Sequence, residues 1–332
     1  MTVPGKIQLQ MGTQVAGARI LGTGSAQPDR IVTNDDLAKV MDTNDEWIRE
    51  RVGIIERRLI GPDPDGEQVV DLASQAGSRA LADAGVDPSD VDTVIVATCT
   101  MPNQIPNAAA TVADRVGIKG AGAFDLNAAC AGFCYALNTA SDLVRGGSAG
   151  RVLVVGAEKF TDWVDPTDRA NAIIFADGAG AVVVGPSEEA QIGPVSWGSA
   201  GDLAELIYMR DNRWIYQEGQ AVFRWATTQV APIALRALEV AGLKPSDVDV
   251  LIPHQANLRI VNAIAKKLRS VGAREEMVVA DDIVYSGNTS SASIPMALDH
   301  MRAAGRVSSG DVLLLVGFGA GLSYGAQVVI SP

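Results

Sequence analysis

The segments ALADAGVDPSDVD, beginning at Ala80, and ALEVAGLKPSDVD, beginning at Ala237, are two copies of one pattern. Ala, Leu, Ala, Gly, Pro, Ser, Asp, Val and Asp recur in them at a constant separation of 157 residues. Each copy reads as the end of a helix, a glycine stop, a Pro-Ser-Asp turn and the entry to an apolar strand. Further along, GSAGRVLVVG (147–156) returns as VSSGDVLLLVG (307–317), and DGAGAVVVG and GAGLSYGAQVVI follow in the same order. A period this long does not describe a solenoid. It describes a duplicated α/β domain, with a tail over 1–16, a first half over 17–188 and a second over 189–332. The apolar runs at 94–97, 152–155, 181–184, 250–252, 312–316 and 327–330 lack polar alternation. Such runs are central strands covered on both faces, with helices packed outside.

Composition narrows the function classes. A chain of 332 residues that is 47% hydrophobic and 20% charged buries a large core without disulfides. Three cysteines argue for a reducing compartment rather than a disulfide framework. The opening MTVPGKIQLQMGTQ lacks an apolar signal core, and no long apolar run is free of charges and turn signals. A net charge of −12 disfavours general binding to nucleic acid or to an anionic membrane. A cytoplasmic protein is expected.

Within GAFDLNAACAGFCYALNTASDLVRGG (121–146), Cys130 falls where a loop of small residues becomes a helix. Phe133, Leu137, Ala140 and Val144 mark one face of that helix, which closes at Gly146–Gly147. A helix start favours negative charge and lowers a thiol pKa, so the position suits a nucleophile. At a separation of 158 the repeat sets Cys130 against Asn288, in YSGNTSSASIPMALDHM, just before a second helix marked by Ile294, Leu298 and Met301. The chain has two histidines. His300 lies inside that second helical stretch and reads as a surface or last-turn histidine. His254 follows the strand VDVLIP, at the carboxyl end where sites of α/β sheets collect. Cysteine, histidine and asparagine together fit acyl transfer: a thiolate attacks, and two neutral donors hold a developing oxyanion. No carboxylate in the sequence stands out to orient the histidine.

Other features read as structural. Cys99 and Cys134 are assigned to core or pocket lining, and no CxxC pair supports a metal site. ILGTGSAQP lacks the third glycine of a dinucleotide loop. GFGAGLSYG (317–325) is a loop where backbone comes close to the site.

The motifs DTNDEWIRERVGI, AACAGFCYAL, DPTDRANAIIFADGAGA, EGQAVFRWA, PHQANLRI, GNTSSASIP and GFGAGLSYG occur in this order. From about residue 17 to its end the chain resembles the β-ketoacyl-acyl-carrier-protein synthase III family of the thiolase superfamily. The resemblance implies a five-layered α-β-α-β-α fold of two halves. It makes Cys130, His254 and Asn288 the catalytic triad, and the backbone N–H groups of Cys130 and Ala320 the oxyanion hole. It assigns Trp47, Arg51 and Arg169 to the adenine end of coenzyme A, Asn257 and Phe318 to substrate binding, and Ile105 to closing the acyl pocket of a dimer partner. It implies acyl-CoA and malonyl-acyl-carrier protein as substrates, a homodimer, and no metal or redox cofactor. A related reading is a priming ketosynthase of a polyketide pathway, or acyl transfer to a non-malonyl acceptor. A cysteine hydrolase fits the symmetric halves poorly, and retention of all three residues argues against an inactive subunit.

The chain departs from the family pattern in two places: WGSAGDLAELIYMRDNRWIYQEGQ is shorter than expected, and Ser291 replaces an expected alanine. The family's carrier protein is acidic, and the helix after His254 has a basic face. Val261, Ile264, Ala265 and Leu268 form its apolar stripe, leaving Arg259, Lys266 and Lys267 exposed as carrier-protein contacts.

Overall fold

Runs such as TVIVA (93–97), VLVVG (152–156) and LLLVG (313–317) carry no polar alternation because both of their faces are covered. The computed structural model describes residues 12–61 and 66–332, so most of the expected tail lies outside the described residues. In the first half run β1 (Gly17–Ala26), α1 (Val69–Ala84), β2 (Thr93–Ala97), α2 (Ala108–Arg115), β3 (Gly122–Leu126), α3 (Gly132–Arg145), β4 (Val152–Lys159) and β5 (Asp177–Ser187). In the second run β6 (Ser196–Gly198), α4 (Gly219–Val240), β7 (Val250–Pro253), α5 (Leu258–Ser270), β8 (Val278–Val279), α6 (Ser293–Ala303), β9 (Val312–Phe318) and β10 (Tyr324–Ile330).

Two five-stranded sheets result, in the orders β1-β5-β4-β2-β3 and β8-β7-β9-β10-β6. In the first, β5 is antiparallel to β1 and β4, and β4, β2 and β3 are parallel. In the second, β10 is antiparallel to β6 and β9, and β9, β7 and β8 are parallel. The two topologies are the same. Alternate strand residues then sort between layers. Ile95 and Val154 meet Ile252 and Leu315 around the central helices α3 and α6. Val94 and Val155 turn outward onto α1 and α2, and Leu251 and Leu314 turn outward onto α4 and α5. The chain is therefore layered α-β-α-β-α. Among the described residues no helix is long and apolar enough to cross a membrane.

The separation of 157 holds where it was read. Gly85 and Gly242 both take left-handed φ, 62° and 72°, and each leads into a Pro-Ser-Asp turn. It does not hold at the nucleophile. There the short turns Ala129–Ala131 and Ser290–Ala292 precede α3 and α6, and each opens on a positive φ, 45° at Ala129 and 51° at Ser290. The connection is longer in the second half, so Cys130 corresponds to Ser291, and Asn288 corresponds to Asn127. The expected pairing of Cys130 with Asn288 is corrected accordingly.

The glycine-rich ILGTGSA is not a loop but part of β1. A Cβ at Gly22 would lie 2.4 Å from the Ala84 nitrogen, and one at Gly24 2.4 Å from the Ala80 nitrogen. The glycines let α1 rest directly on the strand. Residues 31–60 form a separate platform, a ribbon of Ile31–Thr33 with Glu56–Arg58 beside the helix Asp45–Val52. The fully buried Arg57 pins it, donating to Val32 O, Asn34 Oδ1 and Ile173 O.

Candidate active site

Carboxyl ends of strands from both sheets meet at one cavity. Cys130 lies on the turn after β3, His254 directly follows β7, and Ala320 stands just beyond β9. These three, with Asn288 and Phe318, line a cavity of about 230 Å³. A larger cleft of about 490 Å³ between Leu37 and Val164 shares Phe160 and Phe175 with it but holds no nucleophile. The smaller cavity brings together the cysteine, histidine and asparagine expected from the sequence.

The end of β9 closes directly on Cys130: a Cβ added at Gly319 would lie 2.9 Å from its sulfur, and the N–H groups of Cys130 and Ala320 and the Ser290 hydroxyl are near enough to lower the thiol pKa. Two converging backbone donors next to a nucleophile are the geometry of an oxyanion hole. The thiol itself is pushed up to about 12, first by burial, with the Glu158 charge adding to the rise and these three donors opposing it. Cys130 lies in the turn Ala129–Ala131 that runs into α3, and burial opposes its ionisation.

His254 is buried, and burial pushes its pKa down to about 3, so the ring is neutral at physiological pH. Its Nδ1 lies 2.7 Å from Ser293 Oγ, and that oxygen already accepts from the Gln255 N–H at 3.3 Å. The Ser293 hydrogen is thus available to Nδ1, which leaves Nε2–H as the donor towards the cavity. The Phe318 ring meets the imidazole edge-on at 5.3 Å between centroids. Asn288 is fixed by its backbone, donating to Ile174 O and accepting from the Ala176 N–H, both at 2.9 Å. Its Oδ1 accepts from the Ser290 N–H at 2.9 Å, so its amide NH₂ is the half left for a ligand. Two neutral donors on one cavity can hold an enolate or other oxyanion.

On the platform, outside the lining of this cavity, the half-buried Trp47 has two guanidiniums on its ring, Arg169 at 3.9 Å and Arg51 at 5.3 Å from the centroid. An indole held in this way presents a flat, cation-flanked surface. Asn257 is placed differently: it caps α5 through the Arg259 N–H and donates to Arg51 O, so it joins the platform to the second half. Ile105 is 87% exposed, beside a cis Ile105–Pro106 bond, and does not line this chain's own cavity. On α5, Arg259, Lys266 and Lys267 are exposed; the two lysines have no ion pair among the described residues, and Arg259 stacks on Phe223 at 4.9 Å. The segment expected to be short forms a turn, Gly201–Leu206, and a hairpin, Ile207–Arg210 with Trp214–Gln217, whose Ile207, Met209 and Ile215 wall the cavity.

Beneath Cys130 is a group that the motif reading passed over. Glu158, at the end of β4, is fully buried and receives Thr100 Oγ1 at 2.7 Å, Ser291 Oγ at 2.8 Å, the Cys99 N–H at 3.1 Å and Ser290 Oγ at 3.2 Å. Its signal in the sequence was a lone carboxylate closing the otherwise apolar VLVVGAE.

Residues 124–201 match the model for 3-oxoacyl-[acyl-carrier-protein] synthase III, and residues 238–330 match the model for its C-terminal part. The β-ketoacyl-[acyl-carrier-protein] synthase III 4 of Streptomyces coelicolor is 52% identical over 95% of this chain and 99% of its own. The mycobacterial β-ketoacyl-[acyl-carrier-protein] synthase III of Mycolicibacterium paratuberculosis is 46% identical over 94% and 95%. Among solved structures, the priming β-ketosynthase of the R1128 polyketide pathway superposes with a TM-score of 0.92 at 41% identity, covering 99% of both chains. The 3-oxoacyl-[acyl-carrier-protein] synthase III of Aquifex aeolicus superposes with a TM-score of 0.89 at 41% identity, covering 95% of this chain and all of its own.

Proposed function

Because the chain belongs to the 3-oxoacyl-[acyl-carrier-protein] synthase III family, with its thiolase-type fold, we propose that it condenses an acyl-CoA starter with malonyl-acyl-carrier protein through an acyl-Cys130 intermediate. The observation that carries this reading is the convergence of Cys130, His254, Asn288 and the Ala320 N–H on one cavity.

In the first half-reaction the Cys130 sulfur attacks the acyl-CoA carbonyl. The N–H groups of Cys130 and Ala320 hold the tetrahedral oxyanion, and coenzyme A leaves with a proton. In the second, malonyl-carrier protein loses carbon dioxide while His254 Nε2–H and the Asn288 amide hold the thioester oxygen of the enolate. Its α-carbon attacks the acyl-cysteine and releases β-ketoacyl-carrier protein and the Cys130 thiolate, which takes up a proton from solvent. A neutral histidine suits this step, since it donates a hydrogen bond without giving up a proton. Decarboxylation drives the condensation, and the scheme calls for no metal or redox group. Intact-mass measurement after incubation with a panel of acyl-CoAs should show an acyl adduct that disappears on adding malonyl-carrier protein, with β-ketoacyl-carrier protein formed. Free acid in its place would mark a hydrolase and end this reading.

The likeness to a priming polyketide ketosynthase favours one second reading, chain initiation on the carrier protein of such a pathway. Offering the acyl-enzyme both kinds of malonyl-carrier protein separates the two. The Trp47, Arg51 and Arg169 cluster supports a grip on the adenine of coenzyme A, and Phe318 beside His254 supports a role in shaping the thioester site. For Asn257 the support is indirect, through its bond to Arg51. We place the reaction in the cytoplasm, where the three free thiols stay reduced. A homodimer is supported by β3, an edge strand with Phe124 37% exposed, and by the exposed Ile105, which would reach the partner's acyl pocket.

The basic face of α5 supports docking of an acidic carrier protein on a chain whose net charge, −12, would otherwise repel it. Complementary charge mainly raises on-rate and is screened by salt. Arg259→Glu with Lys266→Glu should raise the KM for malonyl-carrier protein about tenfold at low salt and flatten its salt dependence. Acylation by acyl-CoA should stay at the wild-type rate. An unchanged KM at low salt would leave the face merely solvated.

A further inference from the structure

Two neutral donors can share one oxyanion only if they are held at a fixed separation, and here they come from different segments. His254 directly follows β7, whereas Asn288 follows the short helix Ile283–Ser286. The Gln255 side chain spans the two. It is fully buried, its Nε2 donates to Pro253 O at 2.7 Å, and its Oε1 accepts from the Ile283 N–H at 3.1 Å. One partner is only an acceptor and the other only a donor, so the amide has a single orientation.

Each bond answers a local need. The first N–H groups of a helix have no partner within it, and burying one unpaired is costly. Asp282 precedes the short helix but does not cap it, and its carboxylate lies 2.7 Å from His300 Nδ1 instead. Gln255 supplies the acceptor from 28 residues away. At its other end, Nε2 closes on the carbonyl before His254, and the Gln255 N–H reaches Ser293 Oγ, the hydroxyl that bonds His254 Nδ1. From Ile283 the constraint passes to Asn288 with little slack. The Gly287 N–H bonds Ile283 O at 3.0 Å, and a Cβ added at Gly287 would lie 2.8 Å from the Ala176 Cβ and 3.0 Å from the Arg57 Cβ. The bonds of Asn288 to Ile174 O and the Ala176 N–H tie it to the first half; Gln255 ties it to His254.

We propose that Gln255 is a positioning residue that sets the separation between His254 Nε2–H and the Asn288 amide, and so fits the pair to the enolate oxygen. Gln255 does not line the cavity, so it acts only through these two side chains. Cys130 and the Ala320 N–H lie on the turn after β3 and beyond the end of β9, off this link. Loosening Gln255 therefore weakens the enolate step and spares acylation.

The proposal rests on His254 and Asn288 holding the enolate, and its test separates failure of that premise from failure of the link. Carbon dioxide release from malonyl-carrier protein reads the enolate step, and the rate of the acyl adduct by intact mass reads acylation. The variants are Gln255→Met, Asn288→Ala and the two combined. Gln255→Met keeps an unbranched side chain and loses both polar ends. Its kcat for decarboxylation should fall about 10²-fold, the scale of a displacement of about 1 Å at a reacting centre. Its KM for malonyl-carrier protein and its acylation rate should stay at wild type, as for an interaction made only in the transition state. The combined variant should lose far less than the product of the single losses, because Gln255 acts through the group that is already missing. Wild-type decarboxylation by Asn288→Ala would overturn the premise and the proposal with it. Wild-type decarboxylation by Gln255→Met, with Asn288→Ala impaired, overturns the proposal alone. So do equal losses in both half-reactions, which mark a merely structural role, and so does a combined loss equal to the product. If Gln255→Met does not fold, Gln255→Asn, polar but one methylene too short to keep both bonds, decides by the same criteria.

Discussion

Asn288→Ala should still take an acyl group from acyl-CoA onto Cys130 while condensation falls by about 10²–10³-fold, the usual loss when one oxyanion donor is removed. Cys130→Ala should form no adduct at all. The split follows from where each donor lies. The backbone N–H groups close to the Cys130 sulfur are those of Cys130 and Ala320, and neither depends on the Asn288 side chain. The Asn288 amide stands beside His254 on the same cavity, where the enolate oxygen would lie. Its Oδ1 is already taken by the Ser290 N–H, so the NH₂ end is presented in one orientation. Intact mass reads the first half-reaction, and carbon dioxide release from malonyl-carrier protein reads the second. A folded Asn288→Ala enzyme that cannot form the adduct would show that this division of labour is wrong.

The layers were legible because burial on both faces leaves unbroken apolar runs, and all six runs read from the sequence lie within strands. β1 was hidden because its glycines, which make room for α1, carry the composition of a loop. The duplication was legible at its glycine stops and Pro-Ser-Asp turns, where backbone conformation restricts residue choice. It slipped at the nucleophile, where a change in loop length leaves no trace in side-chain pattern. Cys130 and His254 announced themselves by position at strand and helix ends. The groups that tune them did not. Ser293 and Ser290 are serines in a serine-rich turn, and only three-dimensional proximity shows that one bonds His254 and the other lines the cavity with Cys130. The burial of the thiol was hidden for the same reason: a helix start can be read from a sequence, whereas desolvation is a property of the assembled halves.

Gly319→Ala should cut acylation of Cys130 by about 10²-fold, the scale of a displacement of about 1 Å at a reacting centre. Gly319 has extended backbone, φ −178°, so alanine is not excluded by conformation. It is excluded by space. An added Cβ would lie 2.6 Å from the Cys130 Cβ, 2.9 Å from its sulfur and 3.0 Å from its nitrogen. Cys130 has little room to retreat, since Ala131 behind it is fully buried and Gly317 already fits closely against the Ala131 Cα. The end of β9 must therefore move, and with it the Ala320 N–H, one of the two backbone donors close to the sulfur. Overpacking of this kind costs about 1–3 kcal/mol, small enough for the variant to fold. Decarboxylation of malonyl-carrier protein, which depends on His254 and Asn288, should fall less than acylation. Gly219→Ala is the matched control, because an added Cβ there meets nothing within 4 Å. Wild-type acylation by Gly319→Ala would mean that the Ala320 N–H does not hold the acyl oxyanion, and the hole would have to be sought elsewhere on the cavity wall.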